Sequence, residues 1–115
     1  MSPRILIVDD HAGFRSIARE MLETEGFDVV GEAPDGASGL AAARALGPDV
    51  VLLDVQLPDM SGLEVASLLA RGPGPAVVLT SSRDIAELGG LDRRHARGFI
   101  PKAELSGAAL ADVLG

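Results

Sequence analysis

Five short apolar segments, spread along the whole chain, restrict the fold more than any other feature of this sequence. They occupy residues 5–8, 27–30, 50–53, 76–79 and 98–100. The first, third and fourth are continuous aliphatic runs that do not alternate with polar residues. Such runs are typical of strands covered on both faces in a parallel sheet, and parallel strands need crossover connections, usually helices.

Helical patterns lie between these segments. The first predicted helix has apolar residues at helical spacing, and these are Phe14, Ile17, Ala18, Met21 and Leu22. Gly26 can end it, because glycine adopts the left-handed backbone that follows many helices. Asp35 can cap a second helix that runs to Leu46, where residues 47–48, Gly-Pro, stop it.

Two further helices are predicted from capping patterns. Ser61 and Glu64 have the spacing of a capping box, and residues 72–73, Gly-Pro, end the helix that follows. The same spacing opens a fourth predicted helix over residues 84–91. This helix contains glycines at 89–90, each of which costs roughly 1 kcal/mol relative to alanine, so we expect it to be short, broken or mobile.

Ser106 can cap the last helix, with Leu105 and Leu110 spaced as a hydrophobic staple. The order is therefore strand then helix, five times, and we expect one domain over residues 1–115. The fold class is α/β, a flavodoxin-like, doubly wound (βα)5 arrangement with a five-stranded parallel sheet. The strand order 2-1-3-4-5 is taken from known folds of this class and does not follow from the sequence.

Composition excludes several kinds of function. The chain of 115 residues has no cysteine, so it has no disulfide or thiolate metal site, which fits a reducing compartment. Its net charge of −7 repels nucleic acid and anionic lipid, and it has no tryptophan or tyrosine for stacking on bases. We therefore expect no direct binding to nucleic acid and no membrane association.

Polar residues collect where the predicted strands end. Strand one ends in Asp9 and Asp10, strand three in Asp54, strand four in Thr80, and strand five near Lys102. In open α/β sheets, ligands bind beyond the carboxyl ends of the strands. Three carboxylates held close repel one another unless a positive charge offsets them, and Mg²⁺ prefers oxygen ligands of this kind.

Each of these residues has a simpler interpretation when taken alone. Asp9 and Asp10 could cap the first helix, Thr80 could be a strand-end residue, and Lys102 could be solvated. His11 is a tempting metal ligand, but a lone histidine is not a metal site, and we favour a helix-start residue. The simpler interpretations do not explain why these residue types follow four different strands.

Four segments carry a resemblance to a known family: RILIVDDH (4–11), DVVLLDVQLPDMSG (49–62), VVLTSS (77–82) and RGFIPKAEL (97–105). Over essentially its whole length the sequence resembles the receiver domains of two-component response regulators. The first and last segments are most similar to the branch that often carries a C-terminal helix-turn-helix domain. No such domain fits here, so the expectation is a stand-alone receiver or the first domain of a longer regulator.

The resemblance implies a role for each site residue. Asp54 would be the phospho-acceptor and a metal ligand. Asp10 would bind Mg²⁺ directly and Asp9 largely through water, and the backbone carbonyl of Gln56 would complete the protein ligands. Mn²⁺ is the expected substitute ion.

The remaining roles concern the phosphoryl group. Lys102 would pair with a phosphoryl oxygen, and Thr80 would hydrogen-bond the group together with backbone N–H groups near Gln56 and Ser81. Phe99 matches the aromatic residue that moves with Thr80 when the domain switches. Ser81 departs from the alanine or glycine that many receivers have there, which would narrow access to the acceptor.

The expected function is a cytoplasmic phosphorelay signal receiver. A sensor histidine kinase would donate the phosphoryl group, and an output domain or downstream protein would respond. The domain would not be a conventional enzyme but would catalyse its own phosphorylation and dephosphorylation, and a homodimer on phosphorylation is left open.

Three alternatives are weighed against this function. A pseudo-receiver would use the fold as an interaction module without phosphorylation, but the full acidic set and Lys102 argue against it. A haloacid-dehalogenase-type phosphatase needs a second aspartate where Gln56 stands. A flavodoxin needs a phosphate-binding loop after strand one, and that loop is acidic here.

Overall fold

A computed structural model describes residues 2–82 and 95–115. Its strands are β1 Arg4–Val8, β2 Asp28–Ala33, β3 Val50–Asp54, β4 Ala76–Ser81 and β5 Gly98–Pro101. Its α-helices are α1 Ala12–Thr24, α2 Gly36–Leu46, α3 Gly62–Leu69 and α4 Gly107–Leu114, and a 3-10 turn covers Lys102–Glu104. The predicted helix over residues 84–91 lies outside the described residues.

The five strands form one parallel sheet in the order β2-β1-β3-β4-β5, which confirms the expected flavodoxin-like order. The central strand β3 pairs with β1 on one side and β4 on the other. In this register Val8 lies beside Leu53, and Asp54 lies beside Thr80. The last residues of three strands are therefore neighbours at one edge of the sheet.

Apolar side chains leave the sheet on both faces, as the continuous aliphatic runs predict. Leu6, Leu53 and Leu79 belong to the cluster that also contains residues of α2 and α3. Ile5 and Leu52 belong to the cluster on the other face, with residues of α1 and α4. Because both faces are buried, β1, β3 and β4 cannot alternate between apolar and polar residues.

Most of the predicted helix ends are confirmed. Asp35 caps α2 and Ser106 caps α4, and each side chain accepts a hydrogen bond from the backbone N–H three residues later. Gly26 follows α1 with φ +94° and Gly47 follows α2 with φ +56°. This left-handed backbone is the reason for glycine at both positions.

Three details differ from the sequence-based expectation. Ile17 is 62% exposed, because the buried side chains of α1 are Ala18 and Leu22. Helix α3 ends at Leu69, and the Ser61 hydroxyl accepts from the N–H of Leu63 and not from that of Glu64. Strand β2 continues through the polar sequence up to Ala33, because an edge strand need not be apolar to pair with β1.

Candidate functional site

The buried polar side chains in residues 2–82 and 95–115 all lie at the carboxyl edge of the sheet. They are Asp9, Asp54, Thr80 and Ser81. Asp9 directly follows β1, Asp54 ends β3, and the other two end β4. Burying these groups is costly unless they have partners, so their collection at one edge makes that edge the candidate site.

Lys102 joins this group from the first residue after β5. Its Nζ lies 2.7 Å from Asp9 Oδ2 and 3.3 Å from Asp54 Oδ2. The same ammonium lies 4.6 Å from the centroid of the Phe14 ring, within the range of a cation–π contact. One cation from β5 therefore links the acidic ends of β1 and β3, as the sequence predicts.

Asp10 and His11 complete an acidic cluster on the solvent side. Ligand atoms of Asp9, Asp10, His11 and Asp54 all lie within 4.8 Å of one another. His11 Nδ1 is 3.2 Å from Asp9 Oδ1 and 3.1 Å from Asp10 Oδ1. His11 is the N-cap of α1, as expected, but its ring faces the carboxylates and makes no capping hydrogen bond.

Burial and charge act in opposite directions on the ionisation of these groups. Burial raises the pKa of Asp54, and the negative charge of Asp9 adds to this effect. The N–H of Gln56, 3.2 Å from Asp54 Oδ1, and the Lys102 ammonium act against the rise. For Lys102, burial works against the charged form, but its contact with Asp9 and the charge of Asp54 outweigh it, and its pKa is raised.

The donor set fits a hard divalent cation. Asp9 Oδ2 is buried, and the Lys102 ammonium lies 2.7 Å from it. Carboxylate oxygens from Asp9, Asp10 and Asp54 are ligands that Mg²⁺ and Mn²⁺ accept. Burial, and after it the negative charge of Asp9, raises the pKa of Asp54, and a bound cation would favour the charged carboxylate.

The other predicted site residues lie close by in the sheet. Gln56 donates its backbone N–H to Asp54 and pairs with Ser61 in an isolated bridge. Thr80 is the register partner of Asp54 and is buried. Phe99 is half-buried beside Leu79 in β4, packed on the face covered by α2 and α3. The chemical roles of these residues stay predictions.

Sequence reasoning missed three residues that support the site. Arg15 Nη1 donates to the backbone carbonyl of Asp9 at 2.6 Å, while its Nε lies 3.2 Å from Glu32 Oε1. Phe14 lies beneath the Lys102 ammonium. Asp59 accepts two hydrogen bonds from the start of α2. No local pattern signals these contacts, because each partner is distant in sequence or belongs to another element.

A groove lies at the opposite edge of the sheet. Its volume is about 570 Å³, and its lining residues are Ala43, Arg44, Gly47, Pro48, Leu68, Leu69, Arg71, Pro73, Gly74 and Pro75. Several of these residues immediately precede β3 or β4, so the groove lies at the amino ends of the strands. This groove and the acidic cluster are therefore different places.

Comparison with known families decides the class of this protein. The family model described as the response regulator receiver domain matches residues 5–113. The chain belongs to this family. As a receiver domain of the two-component type, it has the fold and the acidic edge that its sequence predicts. No helix in residues 2–82 or 95–115 is long and apolar enough to cross a membrane.

Relatives of this receiver domain include larger proteins. It is 43% identical over 114 residues to protein-glutamate methylesterase/protein-glutamine glutaminase 6 of Anaeromyxobacter dehalogenans, covering 92% of this chain and 31% of that protein. It is 40% identical over 110 residues to the DNA-binding response regulator MtrA of Mycobacterium tuberculosis, covering 89% of this chain and 47% of that protein. The chain thus spans less than half of either relative.

A solved structure supports the fold over the whole receiver domain. The signal receiver domain of the response regulator NarL from Mycobacterium tuberculosis aligns with a TM-score of 0.84 and 33% sequence identity. The alignment covers 99% of this chain and 98% of that one.

Proposed function

We propose that this receiver domain accepts a phosphoryl group on Asp54 from a phosphohistidine of a sensor kinase and passes the signal to an output domain or partner protein. The observation that carries this proposal is the position of Asp54. It ends the central strand, with the Lys102 ammonium 3.3 Å from one oxygen and the Gln56 N–H 3.2 Å from the other.

The position and the basicity of the Asp54 carboxylate suit it to act as the nucleophile. Burial raises its pKa, and a more basic carboxylate attacks phosphorus more readily. The Lys102 ammonium lies closer to Asp9 Oδ2, at 2.7 Å, than to Asp54 Oδ2, at 3.3 Å, so Asp9 is the more strongly paired of these two buried carboxylates. Asp10 is exposed on the solvent side and resembles a surface ligand more than an acceptor.

The transfer step replaces one bond to phosphorus by another. An Asp54 oxygen forms a bond to phosphorus as the phosphorus–nitrogen bond of the phosphohistidine breaks, and the electron pair of that bond returns to the imidazole. Phosphoryl transfer has a loose transition state, so the protein mainly positions groups and neutralises charge. The Lys102 ammonium would neutralise charge on the phosphoryl oxygens.

A divalent cation would share this task. Asp9, Asp10, Asp54 and the backbone carbonyl of Gln56 would hold Mg²⁺, or Mn²⁺ in its place, and Asp9 would act largely through water. When bound, the cation would supply positive charge that offsets the carboxylates and the transferred group.

The response to phosphorylation would be a shift between two populations of the domain. The phosphoryl oxygens would draw Thr80 inward, helped by backbone N–H groups of Gln56 and Ser81. Phe99, half-buried next to Leu79, would then rotate into the space that Thr80 leaves. The changed surface would be recognised by the output partner, and a homodimer on phosphorylation is one form of that recognition.

Acetyl phosphate with Mg²⁺ tests the proposal without a kinase, because the catalytic groups belong to the receiver. Intact mass spectrometry should find one added phosphoryl group on the wild type and none on Asp54→Ala. Asp49→Ala, which removes an exposed carboxylate at the opposite edge, is the matched control and should still be phosphorylated. No added mass on the wild type, or equal mass on Asp54→Ala, would favour a phosphorylation-independent interaction module.

A further inference from the structure

Two carboxylates cap the start of α2, and only one of them belongs to that helix. Asp35 is the N-cap, and its Oδ1 accepts from the N–H of Ser38 at 2.8 Å. Asp59, from the loop between β3 and α3, accepts from the N–H of Gly36 at 2.8 Å and of Ala37 at 2.9 Å. The first three N–H groups of α2, which have no partner inside the helix, are thus all satisfied.

The loop and the helix also fit tightly together. A Cβ atom at Gly36 would collide with Cγ of Met60 and lie 2.6 Å from its Sδ. Glycine at this position therefore permits the close approach of Met60, since its backbone conformation is not one that requires glycine. Hydrogen bonds through Asp59 and packing through Met60 hold the tip of the loop on α2.

The base of the same loop is fixed to the sheet. Val55 donates its N–H to the carbonyl of Thr80 at 2.9 Å, and Gly62 donates to the carbonyl of Val55 at 2.8 Å. Between these two anchors, Gln56 bridges to Ser61 and donates to Asp54. The position of Gln56 therefore depends on how both the base and the tip of the loop are held.

We propose that Asp59 is a positioning residue for the acceptor site: by holding loop 55–61 on the start of α2, it keeps the Gln56 backbone in place beside Asp54. This inference rests on the proposed function, in which Gln56 supplies a metal ligand and a phosphoryl contact. The side-chain hydrogen bonds of Asp59 go to the start of α2, so Asp59 acts on Asp54 through the loop.

Asp59 completes the cap of α2, and its hydrogen bonds also tie the loop to the helix. Helix α2 already has Asp35 at its N-cap, with a second contact at 2.7 Å to the Ser38 hydroxyl. Asp59 comes from 23 residues further along the chain, so its hydrogen bonds join two separate elements. The hydrogen bond from the Gly36 N–H, and after it the one from the Ala37 N–H, lowers the pKa of Asp59. The Asp59 carboxylate is therefore ionised at neutral pH, and the positive end of the α2 dipole favours this negative charge.

The test compares Asp59→Asn with Asp35→Asn. Both variants remove one negative charge at the start of the same helix, but only the first loosens the loop. Mg²⁺ affinity is measured by calorimetry on the full chain, after circular dichroism has confirmed folding. We expect Asp59→Asn to bind Mg²⁺ about tenfold more weakly, as is typical when support of a metal ligand is lost, and Asp35→Asn to bind it as the wild type does.

Hydrogen exchange of the Gln56 amide in metal-free protein gives an independent readout. Asp59→Asn should speed this exchange relative to both the wild type and Asp35→Asn. If the wild type binds no Mg²⁺, the proposed function fails, and the exchange comparison alone decides the inference about Asp59. Equal Gln56 exchange rates in Asp59→Asn and Asp35→Asn, or an equal loss of Mg²⁺ affinity in both, would overturn the positioning role of Asp59.

Gly36→Ala provides a second variant that leaves all charges in place. Alanine near a helix start ordinarily favours the helix, but here the added methyl would push Met60 away. We expect faster Gln56 exchange in Gly36→Ala and its return to the wild-type rate when Met60→Ala is added. Unchanged exchange in Gly36→Ala would contradict the proposed role of the loop contact.

Discussion

The two edges of this sheet are built on opposite ends of the same strands, yet they handle polar groups differently. At the amino edge, Asp49 accepts the backbone N–H of Arg4 at 2.8 Å, and the Arg4 guanidinium donates to the carbonyl of Gly47 at 2.8 Å. These groups lie at the surface and satisfy one another. At the carboxyl edge, Asp9 and Asp54 are buried together with one lysine between them.

The difference indicates that this domain loses stability at its carboxyl edge, where the candidate site lies, and not at its amino edge. Like charges held close in a partly desolvated place destabilise the folded state until a bound cation offsets them. The amino edge has no such conflict among its described residues, so its contacts serve the fold. Mutations at the two edges should therefore have effects of different size and even of different sign.

The largest contrast is expected between two glycines. In Gly62→Ala, the new Cβ would collide with the carbonyl oxygen of Asp54 and lie 2.9 Å from Cα of Val55, and backbone atoms cannot move aside cheaply. We expect a loss of roughly 3 kcal/mol or more in the free energy of unfolding, since overpacking against backbone belongs among the severe mechanisms.

Gly47→Ala at the amino edge is the matched control. Nothing lies within 4 Å of its Cβ position, and only the positive φ opposes a side chain. The expected cost is about 1 kcal/mol. Urea denaturation measures both variants, and equal losses would remove the distinction between a site built on close backbone approach and an ordinary helix end.

Removing the acceptor charge should stabilise the metal-free protein. Because the folded-state pKa of Asp54 is raised by burial and by Asp9, its contribution to stability is present below the ordinary carboxyl pKa and lost as pH rises through the folded value. The free energy of unfolding of Asp54→Asn at neutral pH should therefore exceed that of the wild type by about 1 kcal/mol, a common size for single stabilising changes.

Two further measurements test this prediction: the pH dependence of the stability of Asp54→Asn, and the effect of removing a carboxylate at the amino edge. The advantage of Asp54→Asn should shrink in acid, where the wild-type carboxyl is protonated. Asp49→Ala should instead lose about 1 kcal/mol, because the N–H of Arg4 loses its acceptor. Thermal unfolding across pH in a chelating buffer measures both, and a destabilised Asp54→Asn would contradict the account of charge crowding.

A smaller effect is expected at Phe14, beneath the Lys102 ammonium. Phe14→Leu keeps the apolar volume nearly constant but removes the aromatic face, with an expected coupling to Lys102 of about 0.5–1 kcal/mol. A double-mutant cycle with Lys102→Met isolates that coupling from the loss of packing. A coupling of zero would mean that Phe14 supports the lysine only by excluding water.

The smallest effect is expected in the groove at the amino edge. Arg44→Ala and Arg71→Ala should each change the free energy of unfolding by less than about 0.5 kcal/mol, because both residues are exposed. Phosphorylation by acetyl phosphate should be unchanged in both. A loss of phosphorylation in either variant would show that the two edges are coupled.

The fold and the main site residues could be predicted because their signals are local. Aliphatic runs mark β1, β3 and β4, and the residue that follows each run lies at the carboxyl edge by construction of a parallel sheet. The strand order came from resemblance, since no local pattern shows which strand lies beside which. The ion pairs of Lys102 with Asp9 and Asp54 confirm that these residues come together.

The remaining features depend on tertiary placement. Ile17 has the spacing of a core residue, but the rotation of α1 on the sheet turns Ala18 and Leu22 inward instead. Asp59 looks like a loop residue in sequence, and only the folded chain brings it to α2. Arg15 reaches the carbonyl of Asp9 by a contact that helical periodicity does not reveal.

A Mg²⁺ titration, monitored by the NMR chemical shifts of the backbone amides, tests most directly whether the acidic residues at the carboxyl edge form one cation site. Saturable shifts should concentrate at residues 9–10, 54–56, 80–81 and 102, and Asp54→Ala should weaken them. Shifts centred instead on the exposed acids of α1, Glu20 and Glu23, or no saturable change at all, would contradict a cation site at the carboxyl edge.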